Sequence, residues 1–273
     1  MSATEIKWPR LGLGTGPLKG ESGTALLTEA IRMGYRLLDS AAHYNNEKEV
    51  GEAVRASGVP REELIVVTKA WPDKIGGADL RSSAEASVER LGMDRVDLFL
   101  LHWPNPNIPL AETIGALAKL QQDGLTRSIG ISNFPTRMMA EAQKLSPVKL
   151  VANEVEYHPY LAQNAVLAAC RQAEMAMIAH CPLGRAGRLF VEPVIQAASR
   201  RLNRSPAQIV LRWHVQQPNV IAIPSSHSAA RLKENFSVFD FALSHEEMAA
   251  ISALQAHNRR LCVPPVPFEF DAA

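Results

Sequence analysis

Eight times along the chain a short apolar, β-branched-rich run of strand length is followed by a longer segment with helical spacing, and this alternation constrains the fold more than any other feature. The runs fall at 11–14, 36–39, 64–69, 96–102, 129–132, 150–154, 176–180 and 220–223. The helical segments fall at 24–33, 47–56, 78–91, 110–123, 136–145, 163–174, 206–216 and 229–236, with an extra piece at 192–202 and a C-terminal helix at 246–254. Ser205-Pro206-Ala207-Gln208 offers a hydroxyl cap, a proline at the first helical position and a glutamine that completes a capping box, and Ser244 with Glu247 makes a second box. Eight such units of about 30 residues predict an α/β fold closed as a (β/α)8 TIM barrel. The rival is an open doubly wound sheet, but Gly12-Leu13-Gly14-Thr15-Gly16 runs into Pro17 where GxGxxG requires glycine.

A chain of 273 residues is long for one domain, yet barrels of this kind reach 200 to 250 residues as one unit. No linker, low-complexity tract or charge block divides it, so residues 1–273 are expected to form a single domain, with 258–273 as a C-terminal loop. Hydrophobic residues at 47% against 21% charged exclude a disordered chain. Twenty-nine Lys plus Arg against 28 Asp plus Glu leave a net charge of +1, which provides no field for nucleic acid or an anionic membrane and favours a small-molecule ligand. Cys170, Cys181 and Cys262 form neither CxxC nor a His/Cys zinc spacing, and three cannot complete a disulfide framework; reduced thiols in the cytoplasm are expected. The opening MSATEIKWPR lacks a signal-peptide pattern, and no apolar run approaches a membrane span.

In such a barrel the active site forms where the strands end. Strand two ends at Asp39 and leads to Tyr44, strand three ends at Lys69, and strand four at His102; strands five to eight end at Ser132-Asn133, Glu154, His180 and Pro224-Ser225-Ser226. Each has an ordinary alternative: Asp39 as a turn cap, Tyr44 as a wall residue, Lys69 as a solvated charge, His102 as a core histidine. On consecutive strand ends they make a coherent set for carbonyl reduction. An Asp pairs with the Lys, the ammonium lies near a Tyr hydroxyl, and a His completes the proton donors. Negative charge builds on the carbonyl oxygen as hydride adds, and a placed donor lowers that barrier. The nearby ammonium should bring the Tyr44 hydroxyl closer to the working range. Hydride must come from a cofactor.

The segments LGLGTG (11–16), LLDSAAHYNNE (37–47), VVTKAW (66–71), LLHWP (100–104), IGISNF (129–134), NEVEYHPYL (153–161) and IPSSHSAARLKENF (223–236) resemble the aldo-keto reductases over nearly the whole chain. GVPREELIVVTKAW and NRRLCVPPVPFEF are most similar to the bacterial 2,5-diketo-D-gluconate reductase B group. The resemblance implies that Tyr44 is the general acid, Lys69 lowers its pKa, Asp39 holds Lys69 and His102 orients the carbonyl. It implies NADPH as hydride donor, with NADH as the alternative. Ser132 and Asn133 would hold the carboxamide, His180 would stack on the ring, and Ser225, Ser226, Arg231 and Asn235 would face the adenosine end. Trp71, Trp103 and Gly16 would line the substrate pocket, and the C-terminal segment would close it.

The chain departs from the family pattern at four of these positions. Glu154 replaces a Gln, so a group that both donates and accepts becomes one that only accepts when ionised. His180 replaces an aromatic Tyr or Trp, Ser225 replaces a Lys beside the expected 2′-phosphate, and Gly16 stands where a Trp or Phe is common, which predicts a wider mouth. Arg231 and the helix N-terminus near Ser228 could supply the lost positive charge. The resemblance further implies a cytoplasmic monomer acting on a small carbonyl compound. No metal site is expected: His43 and His158 belong to no HxH or HExxH pattern, and EYHPY reads as a strand-to-loop element. The competing readings are a poorly active nicotinamide-sensing barrel and a metal hydrolase using His102, His158 and Glu154.

Overall fold

The computed structural model describes residues 6–271; the expected loop's last two residues and the first five of the chain lie outside the described residues. The strands are β1 (Leu13–Gly14), β2 (Leu37–Asp39), β3 (Ile65–Ala70), β4 (Val96–Leu101), β5 (Thr126–Ser132), β6 (Leu150–Glu156), β7 (Ala176–His180) and β8 (Val220–Ala222). They pair in parallel in sequence order. A Leu11–Ala222 bridge, with Gly12 N donating to the Ala222 carbonyl at 2.8 Å and Gly14 N to that of Pro224 at 3.0 Å, joins the first strand to the last. The result is a (β/α)8 TIM barrel, as the alternation predicts.

The helices are α1 (Gly20–Met33), α2 (Glu47–Ser57), α3 (Gly77–Leu91), α4 (Leu110–Gln122), α5 (Thr136–Leu145), α6 (Asn164–Gln172), α7 (Pro193–Leu202), α8 (Pro206–Val215), α9 (Ala229–Phe236) and α10 (His245–Ala253). Both expected capping boxes form: Ser205 accepts from Gln208 N at the start of α8, and Ser244 from Glu247 N at the start of α10. Most boundaries that differ from the expectation shift by one or two residues, and three of the differences have a readable cause. β5 starts at Thr126 because its polar first turn still pairs with Val96 and Leu98 on β4. β6 runs on to Glu156, whose backbone pairs with His180. α1 begins four residues early, in a stretch with no apolar spacing to mark it.

Two cores follow from the two-residue period of the strands. Leu38, Val66, Phe99 and Ile131 face outward onto the helices. Leu37, Val67, Leu98, Leu100, Ala152, Ile178 and Ile221 face inward and fill the barrel, with Trp8 and Ile65 packed against them. Advancing the inward set by two residues gives Asp39, Lys69, His102, Glu154 and His180. The alternation that fills the barrel with hydrocarbon thus delivers polar side chains to its open end.

Candidate active site

Lys69 is completely buried on β3, and a buried ammonium persists only when it is paired. Its Nζ donates to Asp39 Oδ1 at 2.6 Å, Asp39 Oδ2 at 2.7 Å and the Ser40 carbonyl at 2.9 Å. Glu154 Oε2 lies 3.3 Å away. Burial pulls the ammonium down, but Asp39, Glu154 and Tyr44 outweigh it and hold Lys69 charged, above its ordinary range. Glu154 is buried beside Asp39, and desolvation together with that carboxylate raises it well above the usual range, against the pull of Lys69. One cation faces two carboxyl groups there, and the shift favours the protonated form of Glu154. Glu154 in that protonated state can donate as well as accept, which restores the capacity that the sequence comparison with Gln suggests is lost.

Tyr44 ends a short 3-10 turn (Ala42–Tyr44) after β2, and Lys69 Nζ lies 5.3 Å from its ring centroid. Lys69 lowers its hydroxyl as the sequence suggests, but burial is the larger influence and Asp39 and Glu154 add to it, so the net displacement is upward. The expectation of a phenol nearer the working range is corrected: burial first, and Asp39 and Glu154 after it, outweigh the ammonium, and Tyr44 is a protonated donor. His102, just past β4, packs edge-on to Tyr44 at 5.6 Å and to Trp71 at 5.1 Å. Burial, then Lys69, His180 and His43, keep its ring neutral, and its buried Nδ1 has no partner. His43 stacks on Trp71 at 3.7 Å, a contact the sequence reading does not assign. A side chain at Gly16 would touch the Tyr44 ring at 3.6 Å, so the glycine leaves open the space beside the phenol.

At the ends of β5 to β7, Asn133 adopts φ +63°, a left-handed conformation that Asn tolerates. Its Nδ2 donates to the His102 carbonyl at 2.9 Å and to Ser132 Oγ at 3.0 Å, and its Oδ1 meets His180 Nε2 at 3.0 Å. Ser132, Asn133 and His180 are therefore one connected group with His102. Ser225 and Ser226 follow β8, and Arg231 and Asn235 lie on α9. Ser226 Oγ accepts from Ser228 N at 3.1 Å, and Ser228 caps α9. Asn235 is buried, whereas Arg231 is exposed, with no ion pair or side-chain hydrogen bond among the described residues.

The segment after α10 folds back over the strand ends. Glu156 accepts from Leu261 N at 2.7 Å and Cys262 N at 2.8 Å, and contacts His158 Nε2 at 2.9 Å. Asp271 accepts from Thr136 N at 2.9 Å and Thr136 Oγ1 at 2.7 Å. Phe268 approaches Trp103 at 6.1 Å, while Arg260 covers Phe270 at 3.5 Å. EYHPY is thus a structural element, with His158 committed to Glu156. The sequence reading passes over Glu156, although it follows Glu154 by one strand period. Cys181 and Cys262, separated by 81 residues, come within 3.6 Å, and nothing in their spacing announces it.

The aldo/keto reductase family model matches residues 10–256. The 2,5-diketo-D-gluconic acid reductase B of Corynebacterium sp. is 42% identical over 89% of this chain and 88% of its own length. Aldo-keto reductase family 1 member A1 of Sus scrofa is 38% identical over 96% of this chain and 90% of its own. A crystal structure provisionally assigned as a 2,5-diketo-D-gluconic acid reductase B superposes with TM-score 0.92 at 41% identity, over 97% of this chain and 94% of that one.

Proposed function

This chain belongs to the aldo/keto reductase family of NAD(P)H-dependent oxidoreductases, and from that premise we propose that it reduces aldehyde and ketone carbonyls with NADPH, using Tyr44 as the general acid. The observation that carries the reading is the buried Lys69, bonded to both Asp39 oxygens and set under the Tyr44 ring beside a neutral His102. The small dicarbonyls, sugar-derived keto compounds such as 2,5-diketo-D-gluconate and general aldehydes are the substrate classes that the relatives' names and the open space at Gly16 favour.

The residues present fit a nicotinamide cofactor. Asn133, Ser132 and Glu154, whose carboxyl is shifted toward its protonated form, offer donors and acceptors for a carboxamide, His180 offers a flat ring, and Arg231 is an exposed cation, unpaired among the described residues, beside a capped helix N-terminus. Hydride is the chemistry that such a cofactor supplies when bound. Tyr44 donates a proton to the oxygen on which charge develops, and the high affinity of its hydroxyl for that proton keeps it loaded at neutral pH. Lys69 stays charged and offsets the negative charge left on the phenol. His102, neutral and held by packing, donates a hydrogen bond that orients the carbonyl. Trp71 and Trp103 wall the pocket, and the segment over Trp103 closes it.

In this reading the chain acts as one domain, a cytoplasmic monomer without nucleic-acid or membrane partners. No described helix is long and apolar enough to cross a membrane. The test pairs fluorescence titrations with NADPH and NADH against turnover of Tyr44→Phe. We expect tighter binding of NADPH, and in the variant unchanged binding with a rate loss of about 10²- to 10⁴-fold. Equal affinities would remove the NADPH preference, and a variant that turns over normally would remove Tyr44 from its role.

A further inference from the structure

We propose that His180, Cys181 and Cys262 form a binding site for a thiolate-seeking divalent cation, zinc in the first instance, whose occupancy clamps the C-terminal segment onto the strand ends and shuts down turnover. The shutdown half rests on the reading above that His180 lies against the nicotinamide; the cation site itself does not. The ligand atoms of the three residues lie within 4.8 Å of one another. Two adjacent ligands come from the end of β7, and the third is brought from 81 residues away by the returning segment.

The sulfurs are 3.6 Å apart. A disulfide would need them at about 2.05 Å. Two thiolates on one tetrahedral zinc, each about 2.3 Å from the metal, stand about 3.8 Å apart. The observed spacing, which two thiols in hydrogen-bond contact also adopt, is within about 0.2 Å of that of two ligands around one ion.

Outer contacts hold the ligands in place. Asn133 Nδ2 is committed to the His102 carbonyl, an acceptor only, so the oxygen of that amide faces His180 Nε2. That nitrogen must carry the ring proton, which leaves the Nδ1 lone pair free. Metal-binding imidazoles are oriented in this way, with one nitrogen donating to a fixed oxygen so that the other can ligate. Cys262 is fixed by the fully buried Glu156 carboxylate, which accepts from its backbone N–H and from that of Leu261. All three ligands are half-exposed, so a cation can enter and a water can take the fourth position. Binding releases two protons, one from each thiol, and two thiolates with a neutral imidazole balance the charge of a divalent ion.

With the site filled, Cys262 and His180 share one ion. The segment bearing Phe268 can then no longer leave Trp103, and the His180 ring is held toward the sulfurs.

The experiment titrates the reduced full-length protein with Co²⁺, whose thiolate charge-transfer band reports sulfur ligation without reference to activity. The expected result is one Co²⁺ per chain with that band, displaced by Zn²⁺. Cys181→Ser and Cys262→Ser should each weaken binding by more than the roughly 10- to 100-fold that follows loss of an outer-shell partner, whereas Cys170→Ala should leave the band intact. In the unmodified protein, Zn²⁺ should protect Cys181 and Cys262 from alkylation, read by peptide mass spectrometry, which keeps the test independent of how the variants fold. Absence of the band, or its survival in both serine variants, would overturn the site. A normal band without Zn²⁺ inhibition of turnover would overturn the clamp. Cobalt bound through the cysteines by a protein that binds neither nicotinamide cofactor would leave the cation site standing and sink the reductase reading alone.

Discussion

Lys69 is the residue on which the site's electrostatics turn, because among the described residues it is the one cation facing both Asp39 and Glu154. Lys69→Met should abolish turnover and cost about 3–5 kcal/mol of stability, since it strands a buried charge. Adding Asp39→Asn should recover much of the stability and none of the turnover. Urea melts alongside kinetics would check this, and a single variant as stable as the parent would show the ion pair to be energetically neutral. Glu154 sets a pH dependence whose sign is fixed. Buried beside Asp39, its carboxyl binds a proton more tightly in the folded chain than in the unfolded one. Its stabilisation is complete below the ordinary carboxylate value of about 4.3 and falls as pH rises through the raised value. Glu154→Gln should flatten the melting temperature across that window, and a parent-like slope in the variant would assign the proton elsewhere. The pairing of Asp39 with Lys69 was legible in the sequence because each stands one strand period past an inward-facing apolar residue. The proton on Glu154 was not, because it depends on a neighbour brought in from another strand.

Among the elements, the returning C-terminal segment is the one whose position depends least on its own sequence. Its phenylalanines are half-buried against Trp103, Arg260 and each other, and its place is fixed by Glu156 at residues 261–262 and by Asp271 at the start of α5. Burial pushes the Glu156 carboxyl up, but the His158 ring and the two amides outweigh it and bring it down to about 2. A depressed value means this anchor contributes fully above the ordinary carboxylate range and is lost as pH falls toward 2. Glu156→Ala should speed proteolytic cleavage after α10 and raise KM for the carbonyl substrate, with the NADPH affinity little changed. Cleavage at the parent rate would show that Asp271 and Phe268 hold the segment without it. Most strand and helix bounds were legible to within two residues, and the larger departures are the start of α1, where no apolar spacing marks the helix, and the start of β5, where tertiary pairing extends the strand past its apolar stretch.

On the scale of the whole molecule, the barrel holds together only if its first and last strands meet, and β1 is two residues long. The seam is tight: a side chain at Gly14 would sit 2.9 Å from the Ile223 carbonyl oxygen. Gly14→Ala should therefore push β8 away, lowering stability by about 1–3 kcal/mol. It should also reduce turnover, because Gly16 and Ser225 follow the two strands it separates. An unshifted urea midpoint would mean that the seam has slack the contacts do not reveal.

By itself the sequence determined the eightfold alternation, the caps of α8 and α10 and the identity of the polar residue that ends each inner row. Those are local or periodic properties, set by a few neighbouring residues and the two-residue period of a strand. Only the tertiary structure decided that Glu154 shares Lys69 with Asp39, that Glu156 anchors the returning segment, and that Cys181 and Cys262 come within 3.6 Å. Those depend on barrel closure and on a segment returning over it, contacts between residues tens to more than a hundred positions apart, and no spacing along the chain encodes them.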